Sequence, residues 1–407
     1  MSGRSGEKLL RGTGETAKQA MDLLPQLVAW RRQIHAYPEL SFREFETARL
    51  VSEVLARIPG MTVETEVGVT GVVGRLGNGD GPTVALRADM DALPIQEVTD
   101  RSYRSQNPGV MHACGHDAHI AILLGVARIL GEMFEGGRCP GNIKFIFQPA
   151  EEYTGADGKS GAVHMVEAGV LEDVDMALAL HMAPEWPVGT IQIHDGYSMA
   201  SVDTFHGTIY GTGGHGAYPH RGTDPTFLMV PVLQALHGIV SRRVSPLQPA
   251  AVSVGQIHAG TASNVIPSEV FLQGTIRSYH PQIREQLIEE VERAFTLARQ
   301  LGGEIHFQVD RGEPVLYNEP QVNQRILETV RTIYPDFHVV KEPFGMAGED
   351  FSYMTDKVAG AMFFLGCALP DGVSRELHTP IFDVDERCLP VGAAIMAETA
   401  IRYLKNG

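Results

Sequence analysis

The sequence predicts an α/β protein, a mixed twisted sheet flanked by helices, with a smaller α+β module inserted into it. Three observations point there. Short apolar runs bounded by turn residues alternate with helix-patterned stretches through the first half of the chain. The patterning changes near Gly196 and reverts near Gly312. At 407 residues the chain is also too long for one ordinary core.

Taken in order, helical apolar spacing covers Met21 to His35. Ser41 followed by Glu44 reads as a capping box opening a helix to Ile58. The runs Thr83–Leu86, Ile143–Phe147 and Met176–Leu180 read as buried strands, and Ala118–Phe134 as a helix ended near Gly136-Gly137. From Gly196, strand-like pieces (Thr204–Tyr210, Ala251–Ile257, Glu269–Ile276) flank two helical stretches, Asp224–Arg243 and Gln282–Leu301. The second stops at Gly302-Gly303. The alternation then resumes with helix Gln321–Ile333, strand Ala361–Leu365 and helix Val391–Leu404. The expected division is therefore 1–195 with 312–407 as one domain and 196–311 as the insert.

Composition narrows the partners. Hydrophobic content of 43% with 20% charged residues reads as a globular, soluble chain. A net charge of −16 offers no basic stripe to nucleic acid or to an anionic membrane. The four cysteines, Cys114, Cys139, Cys367 and Cys388, contain no CxxC pair and make no disulfide framework. Met1 to Lys18 is polar and glycine-rich, and no apolar run of membrane-spanning length occurs. A cytoplasmic protein is the simplest expectation.

Met111–His119 packs three histidines, a cysteine and an aspartate around one glycine. Borderline and soft donors gathered this closely suit a transition metal. Further donors fall after predicted strands: Asp89 and Asp91, the pair Glu151-Glu152, His181 and His378. The carboxyl edge of an open α/β sheet is where ligands bind. A Cys, a Glu and three His exceed what one tetrahedral zinc requires, and suit two metals about 3.5–4 Å apart. Adjacent side chains leaving a strand point differently. One carboxylate of Glu151-Glu152 can then ligate while the other works as a general base.

Six motifs now carry a resemblance: Arg87-Ala-Asp-Met-Asp-Ala-Leu-Pro94, Met111–His119, Gln148–Glu152, Gly213–His220, Asn264–Pro267 and Ala347–Phe351. In this order, along nearly the whole chain, they look like the metal-dependent amidohydrolase branch of the aminoacylase/carboxypeptidase metallopeptidase superfamily. Hippurate hydrolases, N-acyl-L-amino-acid amidohydrolases and auxin-conjugate hydrolases belong to that branch. The resemblance implies a catalytic domain split by an inserted lid domain that also dimerises. It implies two divalent ions (zinc, manganese, cobalt or nickel) held by Cys114, His116, Glu152, His181 and His378, with Cys114 as bridging thiolate. Glu151 resembles the general base. Related carboxypeptidases begin their first motif with His-x-Asp, where this chain has Asp89-Met90-Asp91, so Asp91 is expected to orient a ligand imidazole. His112, Asp117 and His119 are expected to pack around the cluster. His215 resembles a lid histidine that reaches a neighbouring subunit's site and polarises the scissile carbonyl. Asn264 and Arg277 resemble contacts to a substrate carboxylate.

The implied reaction is hydrolysis of the amide of an N-acyl-amino acid by a homodimer or dimer-based oligomer. A di- or tripeptide exopeptidase with the same two-metal machinery is the nearest rival, and would need a site for a free α-amine. A metal-binding scaffold without catalysis is disfavoured by the intact Glu151.

Overall fold

The computed structural model describes residues 10, 12–77 and 79–406, so the N-terminal stretch Met1–Lys18 lies partly outside the described residues. The chain forms two compact units. The first comprises Met1–Gly196, Tyr317–Pro343 and Tyr353–Gly407, and the second Tyr197–Leu316 with Phe344–Ser352.

The first unit opens with helices α1 (Glu15–Asp22), α2 (Leu24–Ala36) and α3 (Phe45–Leu55). Where apolar spacing predicts one helix through His35, the chain breaks at Leu23. Pro25 sits in the first turn of the new helix, where its missing N–H costs nothing. The capping box does not form. The side chain of Ser41 donates instead to Asp91 Oδ2 at 2.6 Å, and Glu44 turns into the interior.

The sheet of this unit uses β1 (Thr62–Val67), β2 (Gly71–Gly77), β3 (Thr83–Asp89), β4 (Asn142–Gln148), β5 (Met176–Pro187) and β6 (Thr190–Gln192). Two later strands join it, β11 (His338–Val340) and β12 (Gly360–Ala368), in the order β1-β2-β4-β3-β5-β12-β6-β11. The centre β4-β3-β5-β12 is parallel, while the β1/β2, β2/β4 and β12/β6 pairs are antiparallel. The sheet is therefore mixed, as expected. Its parallel strands are buried along nearly their whole length, which explains their unbroken apolar runs. β5 runs on past Leu180, so His181 lies inside a strand rather than at its end. The edge strands β1 and β11, and β6 between β12 and β11, escape sequence reading because they are short or largely exposed.

Helices α4 (His116–Glu135), α5 (Gly161–Glu167), α8 (Pro320–Ile333) and α9 (Cys388–Asn406) complete the unit. α4 is almost wholly buried and shares a core with Leu27, Leu86, Phe145, Leu178, Phe363 and Ile395. Among the described residues, no helix is long and apolar enough to cross a membrane.

One buried ion network anchors the N-terminus of α4. Arg31 of α2 is fully buried; its Nε donates to Asp117 Oδ2 at 2.7 Å and its Nη2 to Asp383 Oδ1 at 3.0 Å. His35, one turn on, meets the same Asp117 oxygen at 2.8 Å. Burial alone would raise the Asp117 carboxyl, but Arg31 and His35 outweigh it and hold it far below its ordinary range.

The second unit carries the antiparallel strands β7 (Ser201–Tyr210), β8 (Ala250–Ala259), β9 (Glu269–Ser278) and β10 (Glu304–Arg311), ordered β8-β9-β7-β10. Helices α6 (Pro225–Arg243) and α7 (Pro281–Gln300) bury Leu228, Val232, Leu287 and Phe295 with Phe205, Ile209 and Leu272 of the sheet. Asp224 caps α6 by accepting from Thr226 N–H at 2.8 Å.

Asp117→Ala removes one member of the Arg31 network and leaves a buried guanidinium short of its counter-charge. The variant is expected to lose about 3–5 kcal/mol of unfolding free energy. Denaturant titration checks this, and an unchanged midpoint and slope would show that the network contributes nothing.

Candidate metal centre

Parallel register lines up the donor-bearing parts of neighbouring strands. Asp89 of β3 pairs with Gln148 of β4, Arg87 of β3 with Ala179 of β5, and His181 of β5 with Phe364 of β12. Asp89, the Glu151-Glu152 pair and His181 consequently gather at one edge. Cys114 and His116 arrive there from the start of α4, where Gly115 holds φ +92°. A Cβ at Gly115 would also stand 2.9 Å from Met182 Cγ, so only glycine fits this close turn. His378 comes from the loop after β12, itself at φ +60°, with its N–H donating to the carbonyl of Ala113 at 2.8 Å. A non-glycine residue in the left-handed region is a strained one, and strain of this kind clusters at functional sites.

The five predicted donors meet. Cys114, His116 and His181 form one set whose donor atoms lie within 4.8 Å of one another, and Cys114, Glu152 and His378 form another. Cys114 belongs to both, the arrangement a bridging thiolate needs. Its Sγ lies 3.4 Å from His181 Nε2, and His378 Nε2 lies 3.1 Å from Glu152 Oε1. His116 Nε2 stands 4.0 Å from both Glu151 Oε2 and Glu152 Oε1.

Hydrogen bonds orient the imidazoles. His116 Nδ1 donates to the carbonyl of Asp91 at 2.9 Å, and His181 Nδ1 to the carbonyl of Met182 at 2.8 Å. A carbonyl only accepts, so each neutral ring carries its proton on Nδ1 and keeps a lone pair on Nε2, which in His181 faces Cys114 Sγ. His116 Nε2 is buried with no hydrogen-bond partner and stands among the carboxylates of Glu151 and Glu152, so its lone pair is left for an ion. The donor set thus fits two divalent cations.

Around it lies a supporting layer. Asp91 Oδ2 accepts from Glu152 N–H at 3.0 Å as well as from Ser41, and Oδ1 lies 3.3 Å from His116 Nδ1. Asp89 accepts from Arg87 Nη1 at 2.7 Å and from His119 Nδ1 at 2.6 Å. His119 Nε2 in turn accepts from the N–H of Met182 at 2.9 Å, fixing the backbone beside His181. His112 is buried with neither ring nitrogen hydrogen-bonded, and burial pushes its pKa down to about 3, so it packs as a neutral ring.

Electrostatics favour cations here. Burial and the carboxylates of Glu152, Glu151 and Asp89 push the Cys114 thiol far above its ordinary pKa. Burial opposes charge on His116, yet Asp89, Asp91 and Glu152 outweigh it and raise its pKa to about 10. Excess negative charge resists a thiolate and demands protons. Divalent cations would supply that positive charge instead.

The remaining predicted residues belong to the second unit. His215 pairs with Val265 in a two-stranded ribbon, and the carbonyl of Asn264 accepts from Gly216 N–H at 2.8 Å, so these two residues share one corner. The N–H of Ala217 donates to His215 Nδ1 at 3.0 Å, leaving Nε2 to carry the ring proton of the neutral form. Arg277 stands on β9, half-buried, with Nε donating to Thr275 Oγ1 at 3.0 Å.

Comparison with known proteins fits this geometry. Residues 85–402 match the peptidase family M20/M25/M40. The chain belongs to that family. It is 39% identical over 389 residues to thermostable carboxypeptidase 1 of Saccharolobus solfataricus, covering 93% of this chain and 95% of the relative. To the N-acetyl-L-cysteine deacetylase of Bacillus subtilis it is 37% identical over 386 residues, covering 94% and 89%. A solved Bacillus subtilis structure, described as a dinuclear metal binding peptidase from the M20 family, superposes with a TM-score of 0.82 at 32% identity. It covers 95% of this chain and 100% of the other.

Cys114→Ala removes the one donor common to both sets of this M20 centre. Elemental analysis of metal-loaded protein should then show a loss of ions per chain relative to wild type, with the fold retained. Unchanged stoichiometry would exclude Cys114 as a ligand.

Proposed function

We propose that this chain hydrolyses N-acyl-amino acids, releasing a carboxylic acid and a free amino acid. It is a metal-dependent amide hydrolase with two divalent ions as cofactors. The observation that supports the proposal best is Cys114, shared between two donor sets with the Glu151 carboxylate beside them.

Bound there, divalent ions supply Lewis acidity, polarising the amide carbonyl and drawing the pKa of water from about 15.7 toward about 7. The residues of the chain do the rest. Cys114, His116, Glu152, His181 and His378 hold the ions, and Asp91 fixes the ring of His116. Glu151 takes the proton of water as its oxygen attacks the carbonyl carbon, then returns it to nitrogen as the C–N bond breaks. Proton transfer of this kind is worth about 10²–10⁴-fold. His215 donates from Nε2 to the carbonyl oxygen as charge develops there. Asn264 and Arg277 take the substrate's carboxylate, which a guanidinium can grip at both oxygens.

In this reading 1–195 with 312–407 is the catalytic domain and 196–311 the lid, which joins two copies and carries His215 to the neighbouring site. The protein works in the cytoplasm on a small molecule. The relative named for N-acetyl-L-cysteine supports an acyl substrate, while the relative named a carboxypeptidase supports peptide cleavage as the second reading.

Release of free amine from N-acetyl- and N-benzoyl-amino acids, measured beside the matching dipeptides, separates the two. Faster turnover of the acyl compounds is expected, and turnover of dipeptides alone would contradict it. Glu151→Gln should keep both ions yet lose about 10²–10⁴ in kcat. Near-normal turnover in that variant would remove Glu151 from the chemistry.

A further inference from the structure

The segment bearing Glu151 and Glu152 leaves β4 through a strained corner. Ala150 holds φ +45°, a left-handed conformation that residues with a Cβ rarely adopt. Two groups outside the corner fix it. Glu44, completely buried, accepts through Oε1 from the N–H of Ala150 at 2.9 Å and from that of Phe42 at 2.9 Å. Its Oε2 accepts from Thr70 Oγ1 at 2.5 Å. On the other side of the corner, the N–H of Gly161 donates to the carbonyl of Ala150 at 2.8 Å. Gly161 packs so close that a Cβ would come within 1.6 Å of the Pro149 carbonyl oxygen.

The carboxylate of Glu44 is hydrogen-bonded to Phe42, Thr70 and Ala150 and not to a metal donor, and a helix cap does not account for it, because it caps nothing in α3. Its acceptors instead tie three chain segments together: the loop before α3, the turn before β2 and the exit of β4. Only the last leads to reacting groups. The direction in which Glu151 and Glu152 leave the sheet depends on the backbone angles at Ala150.

We propose that Glu44 and Gly161 form a clamp on the Ala150 corner that aims the carboxylates of Glu151 and Glu152 into the metal centre. Glu44 is a positioning residue, and the inference rests on the reading of Glu151 as base and Glu152 as ligand. A misaimed ligand loosens an ion and a misaimed base slows proton transfer. The substrate contacts proposed on the second unit are untouched.

The test compares Glu44→Leu, Glu44→Gln and wild type, each loaded with zinc and confirmed folded by circular dichroism. The leucine variant should lose about a hundredfold in kcat, the scale of a misplacement near 1 Å, with KM little changed. It should also hold fewer zinc ions per chain by elemental analysis. Glutamine keeps a carbonyl oxygen for both backbone N–H groups, so it should restore most of the kcat and the zinc content. A folded leucine variant with wild-type kcat and zinc content would overturn the clamp, as would a glutamine variant as impaired as leucine. If the leucine variant does not fold, Gly161→Ala decides, since it forces the same corner apart: impaired kcat and zinc content support the clamp, and wild-type values overturn it. Wild-type protein that bound no zinc would overturn the ligand reading beneath it, an outcome distinct from all of these.

Discussion

One sulfur atom holds the centre together. Cys114 Sγ is the donor common to the Cys114/His116/His181 set and the Cys114/Glu152/His378 set, and without it the two sets share no atom. Its placement constrains much else. Gly115 must take a left-handed turn against Met182, and α4 must start within that turn. The Arg31–Asp117 pair must hold the helix start from behind. Burial among carboxylates then makes the thiolate unfavourable unless cations stand beside it, so geometry and charge ask for the same ligand.

Around this atom the fold sorts groups by distance from the reaction. Donors come from inside β5, from the segments after β4 and β12, and from the start of α4. Behind them, Asp91 serves His116, Ser41 and the backbone of Glu152 at once, while Asp89 with His119 fixes the chain beside His181. Farther out, Glu44 and Gly161 act on backbone alone. Each layer limits the freedom of the one inside it, as pre-organised metal sites require.

How much of this was legible in the sequence follows from what each residue depends on. The Met111–His119 cluster announces itself because its donors are neighbours in the chain. Glu151-Glu152 and His378 are placed by the strands they follow, and those strands are readable because buried parallel strands are uninterrupted apolar runs. His181 reads as the end of its strand, yet β5 extends through it to Pro187. Ser41 and Glu44 misled more. Their spacing matches a helix cap, yet Asp91, Thr70 and Ala150 compete for them from remote segments and win. Arg31 was unreadable for the same reason: a charged residue in a helix looks solvated until Asp117 and Asp383 arrive to surround it.

The most direct measurement is anomalous diffraction from crystals grown with zinc. The account predicts two peaks about 3.5–4 Å apart, each about 2.3 Å from the sulfur of Cys114. His116 and His181 should ligate one, with Glu152 and His378 on the other. A single peak, or two peaks with Cys114 bound to neither, would contradict it.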